Sequence, residues 1–564
     1  MKSWFFKGLL IFTAIAFFLP ALNSIAGDLP KERLVPPLGL LGTTSDYSPQ
    51  RYNMTRMIVA NWKKLGINAY IDPTKYEAMI KRAFRSKRFD SYIINWSPKL
   101  VRLEPNVFLR TMLTSENAGW DGINVSGYQN PAYDKLADAQ KVALDVRDRK
   151  AIVDFIQEFL YERQPHHSFM HQNNFRAYNQ KNFKDVVLAP GTGPWSFWTD
   201  WSATPAGSQR IFRQSGVADF KTLNPIMAQL ITDQWLLAHI YDTLMRIGPD
   251  AKPQLWAATG YKWLDANTLD VTVRTDMKFH DGKPVTVEDI AFSYEYGRKS
   301  GYLLSFMNNL ESTEVLGNDK LRFKLKEPDA GFLFTVLCQV PILPKHIWES
   351  VDNPATFANS KPVGSGPFKF NYHRRDEELS LKAYKAHFSP PKNDGFLFVV
   401  YGNQEAIVGA MERGDVDACG SASLDPLQAD RLGKNKDIKI VAPLSFGMYM
   451  LEYNTRIEPW NDVYFRRAVS LAIPVDPMIK RVWNGHGVPA GAMLSPENKF
   501  WHNSNLPEWP FDMEKAKQEL VKAGYEWDDK GRLHYPAPGK DNRWIDTIDQ
   551  YKSYENRPIN WRNQ

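Results

Sequence analysis

Apolar residues along this chain recur at helical spacing in some stretches and alternate with polar ones in others. Met54, Met57, Ile58, Trp62 and Leu65 repeat every three or four positions, with Asn61 as the polar interruption of that face, which predicts a helix over 54–65. A shorter helix over 76–84 precedes the strand-like run Tyr92-Ile93-Ile94, and helices over 131–142 and 148–162 follow. Leu269, Val271 and Val273 alternate, as do Leu321, Phe323 and Leu325, and each set predicts a half-buried strand. Between them, Thr286-Val287-Glu288-Asp289 has the form of a capping box, with Val285 and Ile290 set as a hydrophobic staple, so a helix is expected over 287–299. Near the end, Asp512 caps a helix that stops at Gly524, before the turn 528–531. Helices and strands alternate throughout, so the fold class is α/β.

The composition changes this picture in a few places. The chain has 564 residues, of which 43% are hydrophobic and 24% charged, enough for a large core divided among compact units. The net charge of +7 is spread out, and the densest basic cluster, Lys81 to Lys87, reads as a solvated helix face; no nucleic-acid partner is expected. Met1 to Ala26 has the form of a cleaved signal peptide: Lys2 and Lys7, an apolar run over 8–22, and small residues before the cut. The mature chain is therefore expected as a soluble protein in an exported compartment. Cys338 and Cys419 are too few for a disulfide framework; they either pair once or stay as buried thiols. Residues 195–216, rich in Trp, Ser, Thr, Pro and Gly, read as an internal connector.

Candidate chemistry is sparse. His280 beside Asp281 invites a general-base reading, but Asp281-Gly282-Lys283-Pro284 is first a turn before a capped helix. His166, His167 and His171 could meet a metal, yet Pro165 and a strand-like pattern favour a structural or ligand-lining role, so no metal or other cofactor is expected. Gly364-Ser365-Gly366-Pro367 lacks the Lys-Ser/Thr ending of a phosphate loop; it reads as a tight turn that can bring backbone close to a small ligand.

Taken in order, several strings resemble the family 5 extracellular solute-binding proteins of ABC importers, the dipeptide, oligopeptide and nickel type. They include Leu223-Asn224-Pro225, Ile240-Tyr241-Asp242-Thr243-Leu244, the run Phe279 to Asp289, Leu343-Pro344-Lys345-His346 and Gly364 to Phe370. Gly414-Asp415-Val416-Asp417, Tyr453-Asn454-Thr455, Arg466 to Ile473 and Ala516 to Gly524 continue the series. Residues 51–180 resemble the same family, through Trp62 to Ile67, Phe89 to Trp96, Asn130 to Leu136 and the helix Arg147 to Arg163, but they match its C-terminal third. The blocks thus resemble the family in a circularly permuted order.

The resemblance implies a two-lobed periplasmic-binding-protein fold of the large class, with an extra subdomain in lobe I. In the permuted order, 27–165 and 456–564 form lobe II, and 166–455 forms lobe I with the hinge crossings at its ends and 195–216 as the permutation linker. The crossings are expected near 166–178 and 450–455. The rival reading is two partial domains that complete each other between molecules; single occurrence of each block favours one permuted pair.

The implied function is a receptor that closes two lobes on a small or peptide-like solute and delivers it to permease subunits in the inner membrane, as a monomer. The family's cleft aromatic matches Trp96, with Asn95 and Ser97 beside it, and the strand toward the hinge adds Phe446, Met448 and Tyr449. Peptide-binding relatives carry an Asp shortly after the tryptophan for the peptide ammonium; here Ser97-Pro98-Lys99 and Arg102 stand instead. Lys99 and Arg102 therefore suggest a solute with a negative or acceptor-rich group. No catalytic residue is expected; the alternative is an exported hydrolase using His280 or the His166, His167 and His171 cluster.

Overall fold

The computed structural model describes residues 29–546 apart from Asp121, Gln229, Leu303, Ser421 and Ala422; the signal-peptide reading of 1–26 lies outside them. Three sheets organise these residues. The first has six strands in the order Ala69–Thr74, Leu38–Thr43, Ser91–Asn95, Tyr449–Tyr453, His166–Gln172 and Gly487–Pro489. Its first three strands are parallel and the rest antiparallel, so it mixes strands from both ends of the chain.

Helices cover both faces of this sheet. Pro49–Lys64 packs on one side with Val463–Leu471 and Met513–Ala523, around Trp62, Trp460 and Phe465. Pro131–Val142 and Val146–Arg163 cover the other, around Tyr92, Phe108 and Tyr133. The first helix begins earlier than its apolar period predicts, because Ser48 accepts from the Arg51 N–H and Pro49 fills the first turn. It ends at Lys64, and just past its cap lies Gly66, whose φ is +82° and where a Cβ would lie 2.4 Å from the Gly531 carbonyl oxygen. That close approach ties an early helix to a late turn. Nearby, Leu34 bridges His534 and the Val35 N–H donates to the Leu533 carbonyl at 3.0 Å.

The second sheet has seven strands: Phe368–Arg374, Glu378–Ala383, Gly395–Val400, Ile211–Gly216, Ala418–Cys419, Arg176–Asn179 and Ile438–Val441. The third is an antiparallel four-stranded sheet, Ala258–Trp263, Thr268–Val273, Lys320–Leu325 and Leu310–Val315, packed against Val287–Lys299. The capping box of that helix is present on both sides, Thr286 to the Asp289 N–H and Asp289 back to the Thr286 N–H, and Val285 and Ile290 are buried. Among the described residues no helix is long and apolar enough to cross a membrane.

Several expectations change. The supposed connector 195–216 is mostly packed structure: Ser196 caps the helix Phe197–Ser202, and Ile211–Gly216 lies between Gly395–Val400 and Ala418–Cys419 in the second sheet. Its aromatic residues drive that burial, and only the short run 206–210 stays largely exposed. Residues 450–455, expected at a hinge, fall largely in the strand Tyr449–Tyr453, which pairs with Ser91–Asn95 in the first sheet. Likewise His166–Gln172 belongs wholly to that sheet, and the chain passes to the second sheet over 173–175. Cys338 and Cys419 are both buried and free.

Candidate functional site

The two segments that join the first sheet to the second run side by side. The Asn174 N–H donates to the Pro443 carbonyl at 2.9 Å and the Ser445 N–H to Gln172 at 2.8 Å. The Trp96 N–H donates to the Met448 carbonyl at 2.9 Å, and a Cβ on Gly447 would fall 1.8 Å from the Trp96 carbonyl oxygen, so only glycine lets the two segments touch. Asn95 donates to Gln172 at 2.7 Å, and His171 contacts the Gly447 carbonyl through Nδ1 at 2.9 Å. The sequence-predicted residues Asn95, Trp96, Phe446, Met448 and Tyr449 therefore gather at the junction.

Their side chains are mostly spoken for. Phe446 packs into the core of the third sheet, while Met448 and Tyr449 are buried on opposite faces of the first. The Trp96 ring meets Phe84 and Phe108 edge-on and carries the Arg102 guanidinium 4.8 Å above it. Arg102 also donates to the Ser97 carbonyl and, at 2.9 Å, to the Ser97 hydroxyl, which holds the turn closed. Burial lowers the Arg102 pKa to about 10, and burial together with Arg102 lowers that of Lys99.

Just beyond this turn a cavity of about 150 Å³ opens between the first sheet's loop 98–101 and a wall built from the second sheet's helices. Of the eight residues picked from sequence, Lys99 lines it. Trp195, Phe197, Trp198, Trp235 and Arg246 form much of the opposite wall. Sequence reasoning missed these; the density of tryptophans at 195, 198 and 201 was the available signal. The wall is fixed from behind. Asp200 contacts His239 at 2.9 Å and accepts from Gln214 at 2.6 Å, which joins the helices Phe197–Ser202 and Ile231–Ile240 to the strand Ile211–Gly216. Burial raises the Asp200 carboxyl, opposed by His239.

The histidines picked as catalytic candidates are structural. His280 accepts from the Gly364 N–H at Nδ1 and reaches the Gly366 carbonyl from Nε2 at 2.9 Å, the pattern of a neutral ring, and burial lowers its pKa to about 4. The glycine turn thus approaches its own protein: Cβ atoms at Gly364 and Gly366 would lie 2.0 Å from the Ile240 oxygen and 2.5 Å from the His239 oxygen. His166, His167 and His171 are buried, with pKa values lowered by burial to about 3, 3 and 4. Among the described residues no group of three or more His, Cys, Asp or Glu side chains is set to hold a metal ion.

Residues 252–558 match the model of the bacterial extracellular solute-binding proteins, family 5 Middle. The oligopeptide-binding protein AppA of Bacillus subtilis is 29% identical over 296 residues, 51% of this chain and 54% of the relative. The dipeptide-binding protein of Escherichia coli is 24% identical over 286 residues, 46% and 53% of the two chains. The chain spans about half the length of the curated relatives it matches. The solved structure of Bacillus subtilis AppA with a nonapeptide superposes with a TM-score of 0.46 and 24% identity, covering 58% of this chain and 67% of that one. The chain belongs to the bacterial extracellular solute-binding proteins of family 5 and has their two-lobed α/β fold.

Proposed function

We propose that this protein is the periplasmic solute receptor of an ABC importer, which binds a solute between two lobes without transforming it and presents it to permease subunits in the inner membrane. The observation that carries the reading is the cavity between loop 98–101 on one lobe and the aromatic wall on the other, beside two adjacent crossings. Relatives named for oligopeptides and dipeptides support a peptide-like or similar organic solute. A hydrolase using His280 is disfavoured because both ring nitrogens are engaged with backbone. Native mass spectrometry of the purified chain should reveal a retained solute, and adding it back should raise the unfolding temperature and compact the molecule in small-angle scattering. A solute converted to product would overturn the reading.

The family's sequence blocks are, in this proposal, circularly permuted within one molecule. Lobe II comprises 29–172 and 449–546 and lobe I the uninterrupted 173–448, with the joining linker reduced to the exposed run 206–210. The contact of Leu34 and Val35 with Leu533 and His534 supports this, since a chain running on from one segment to the other needs no change of fold. Moving the ends to Gly207 and joining residue 564 to residue 27 should give a chain with the parent's unfolding temperature and solute affinity. Aggregation of the reordered chain under conditions that keep the parent folded would count against it.

A further inference from the structure

The interlobe cavity does not end at its aromatic wall. A second cavity of about 90 Å³ lies behind that wall within lobe I, and Gln234, Ala238, Arg246, Cys338 and Gln339 line both. These five residues form the partition between the two chambers. No carboxylate lines either chamber among the described residues. The cations that do are engaged: Arg246 is paired with Asp242 at 3.4 Å and lies 3.9 Å from the Phe197 ring centre, and Lys99 is not free. A charged group entering these chambers would lose its water and find no free counter-charge, which is strongly unfavourable.

Most hydrogen-bonding side chains around the chambers already have partners. Trp198 Nε1 donates to the Ile247 carbonyl at 2.7 Å, and Tyr241 accepts from Asn359 at 2.9 Å. The hydroxyls of Thr192, Ser196, Thr243 and Tyr302 donate to the Pro190 carbonyl, to Thr199 and to the carbonyls of Met245 and Gln339. The indole N–H groups of Trp195 and Trp235 are sealed within the wall and do not face the space. Two amides remain, both half-buried and both on the partition. Gln234 donates from Nε2 to the Ala228 carbonyl at 3.1 Å, and its Oε1 accepts no bond among the described residues. Gln339 uses only its backbone: its N–H donates to the Val336 carbonyl at 3.0 Å and its carbonyl accepts from the Tyr302 hydroxyl, while its side-chain amide has no hydrogen bond among the described residues. The partition thus offers one acceptor and one donor that are open and uncharged, the complement of another amide.

We infer that the solute is a neutral molecule that spans both chambers through a central amide, whose N–H donates to Gln234 Oε1 and whose carbonyl accepts from Gln339 Nε2. Its larger end is aromatic and its smaller end alkyl. The first chamber, of about 150 Å³, has a volume known elsewhere to admit a benzene ring, and Phe197, Trp198 and Trp235 offer ring faces there. The second is smaller and is lined by Leu237, Tyr302 and Pro341. The Gln339 side chain, held by no partner among the described residues, opens the passage by turning between staggered rotamers. This rests on the receptor reading above and names the class of solute that receptor carries. A linear peptide with free ends would bring two charges that this lining leaves unpaired.

The test uses the full chain, titrated by calorimetry with N-benzylisovaleramide, with its ester analogue benzyl isovalerate, with N-benzylacetamide and with the linear dipeptide leucylphenylalanine. The amide should bind saturably, and the ester, which lacks the N–H, about tenfold more weakly. N-benzylacetamide, too short to fill the second chamber, should also bind about tenfold or more weakly. Gln339→Leu should weaken amide and ester alike by about tenfold while far-ultraviolet circular dichroism stays unchanged. Gln234→Met removes the acceptor and should erase the difference between amide and ester, an effect that a purely structural role would not produce. Failure of the amide to bind, equal affinity for amide and ester in the parent, or undiminished affinity in a folded Gln339→Leu variant would overturn the inference. Tighter binding of leucylphenylalanine than of the amide would overturn it while leaving the receptor standing. A chain that retains no solute and binds nothing from a broad metabolite panel would sink the receptor reading itself.

Discussion

Replacing Glu452 by Gln should make the fold's stability less dependent on pH. Glu452 lies within the strand Tyr449–Tyr453, opposite Tyr92 on one side and His166 on the other, and is buried. Burial raises its carboxyl from 4.5 to about 8, with Lys87 and Arg456 pulling it back. Tyr92 is pushed up by burial and by Glu452, and His166 is held neutral by burial, so neither supplies a compensating charge at neutral pH. Between pH 4.5 and about 8 the folded chain therefore binds one proton more at this site than the unfolded chain. The contribution to stability is full below the unfolded pKa, declines by about 1.4 kcal/mol per pH unit, and levels off above the folded pKa. A shift of about 3.5 units gives a total on the order of 5 kcal/mol. Urea unfolding followed by tryptophan fluorescence, compared for parent and Glu452→Gln from pH 5 to pH 8, isolates this group because shared titrations cancel. The stability difference should move steadily in favour of the variant as pH rises. A difference that stays constant over that range would refute the reasoning.

Three further outcomes follow from particular contacts. His280→Ala leaves the Gly364 N–H and the Gly366 carbonyl without their ring partner, and should cost about 2–4 kcal/mol in urea unfolding. It should leave solute affinity intact, since His280 does not line the cavity; lost affinity at unchanged stability would assign it to the site. Gly66→Ala combines a φ of +82° with a Cβ 2.4 Å from the Gly531 oxygen, and should cost about 2–4 kcal/mol; wild-type stability would show that the two segments separate freely. The free, fully buried Cys419 should react with a thiol reagent after unfolding but not before, and reductant should not change the unfolding temperature.

The sequence was legible wherever a local interaction decides the structure. The helix Val287–Lys299 follows from Thr286 and Asp289, and Met513–Ala523 follows from the Asp512 cap and the left-handed Gly524. Residues 195–216 misled because their Ser, Thr, Pro and Gly content is a local signal, whereas their structure comes from distant partners: Ile211–Gly216 pairs in register with Gly395–Val400. The same division applies at the site. Lys99 was reachable because a family strand leads to it, but Trp195 and Arg246 face it only after residues 98–101, 195–198, 235 and 246 are assembled. Trp96, the family-based first choice, illustrates the converse: its ring is enclosed by Phe84 and Phe108 and covered by Arg102, so its contribution is to set the turn that carries Lys99 to the cavity.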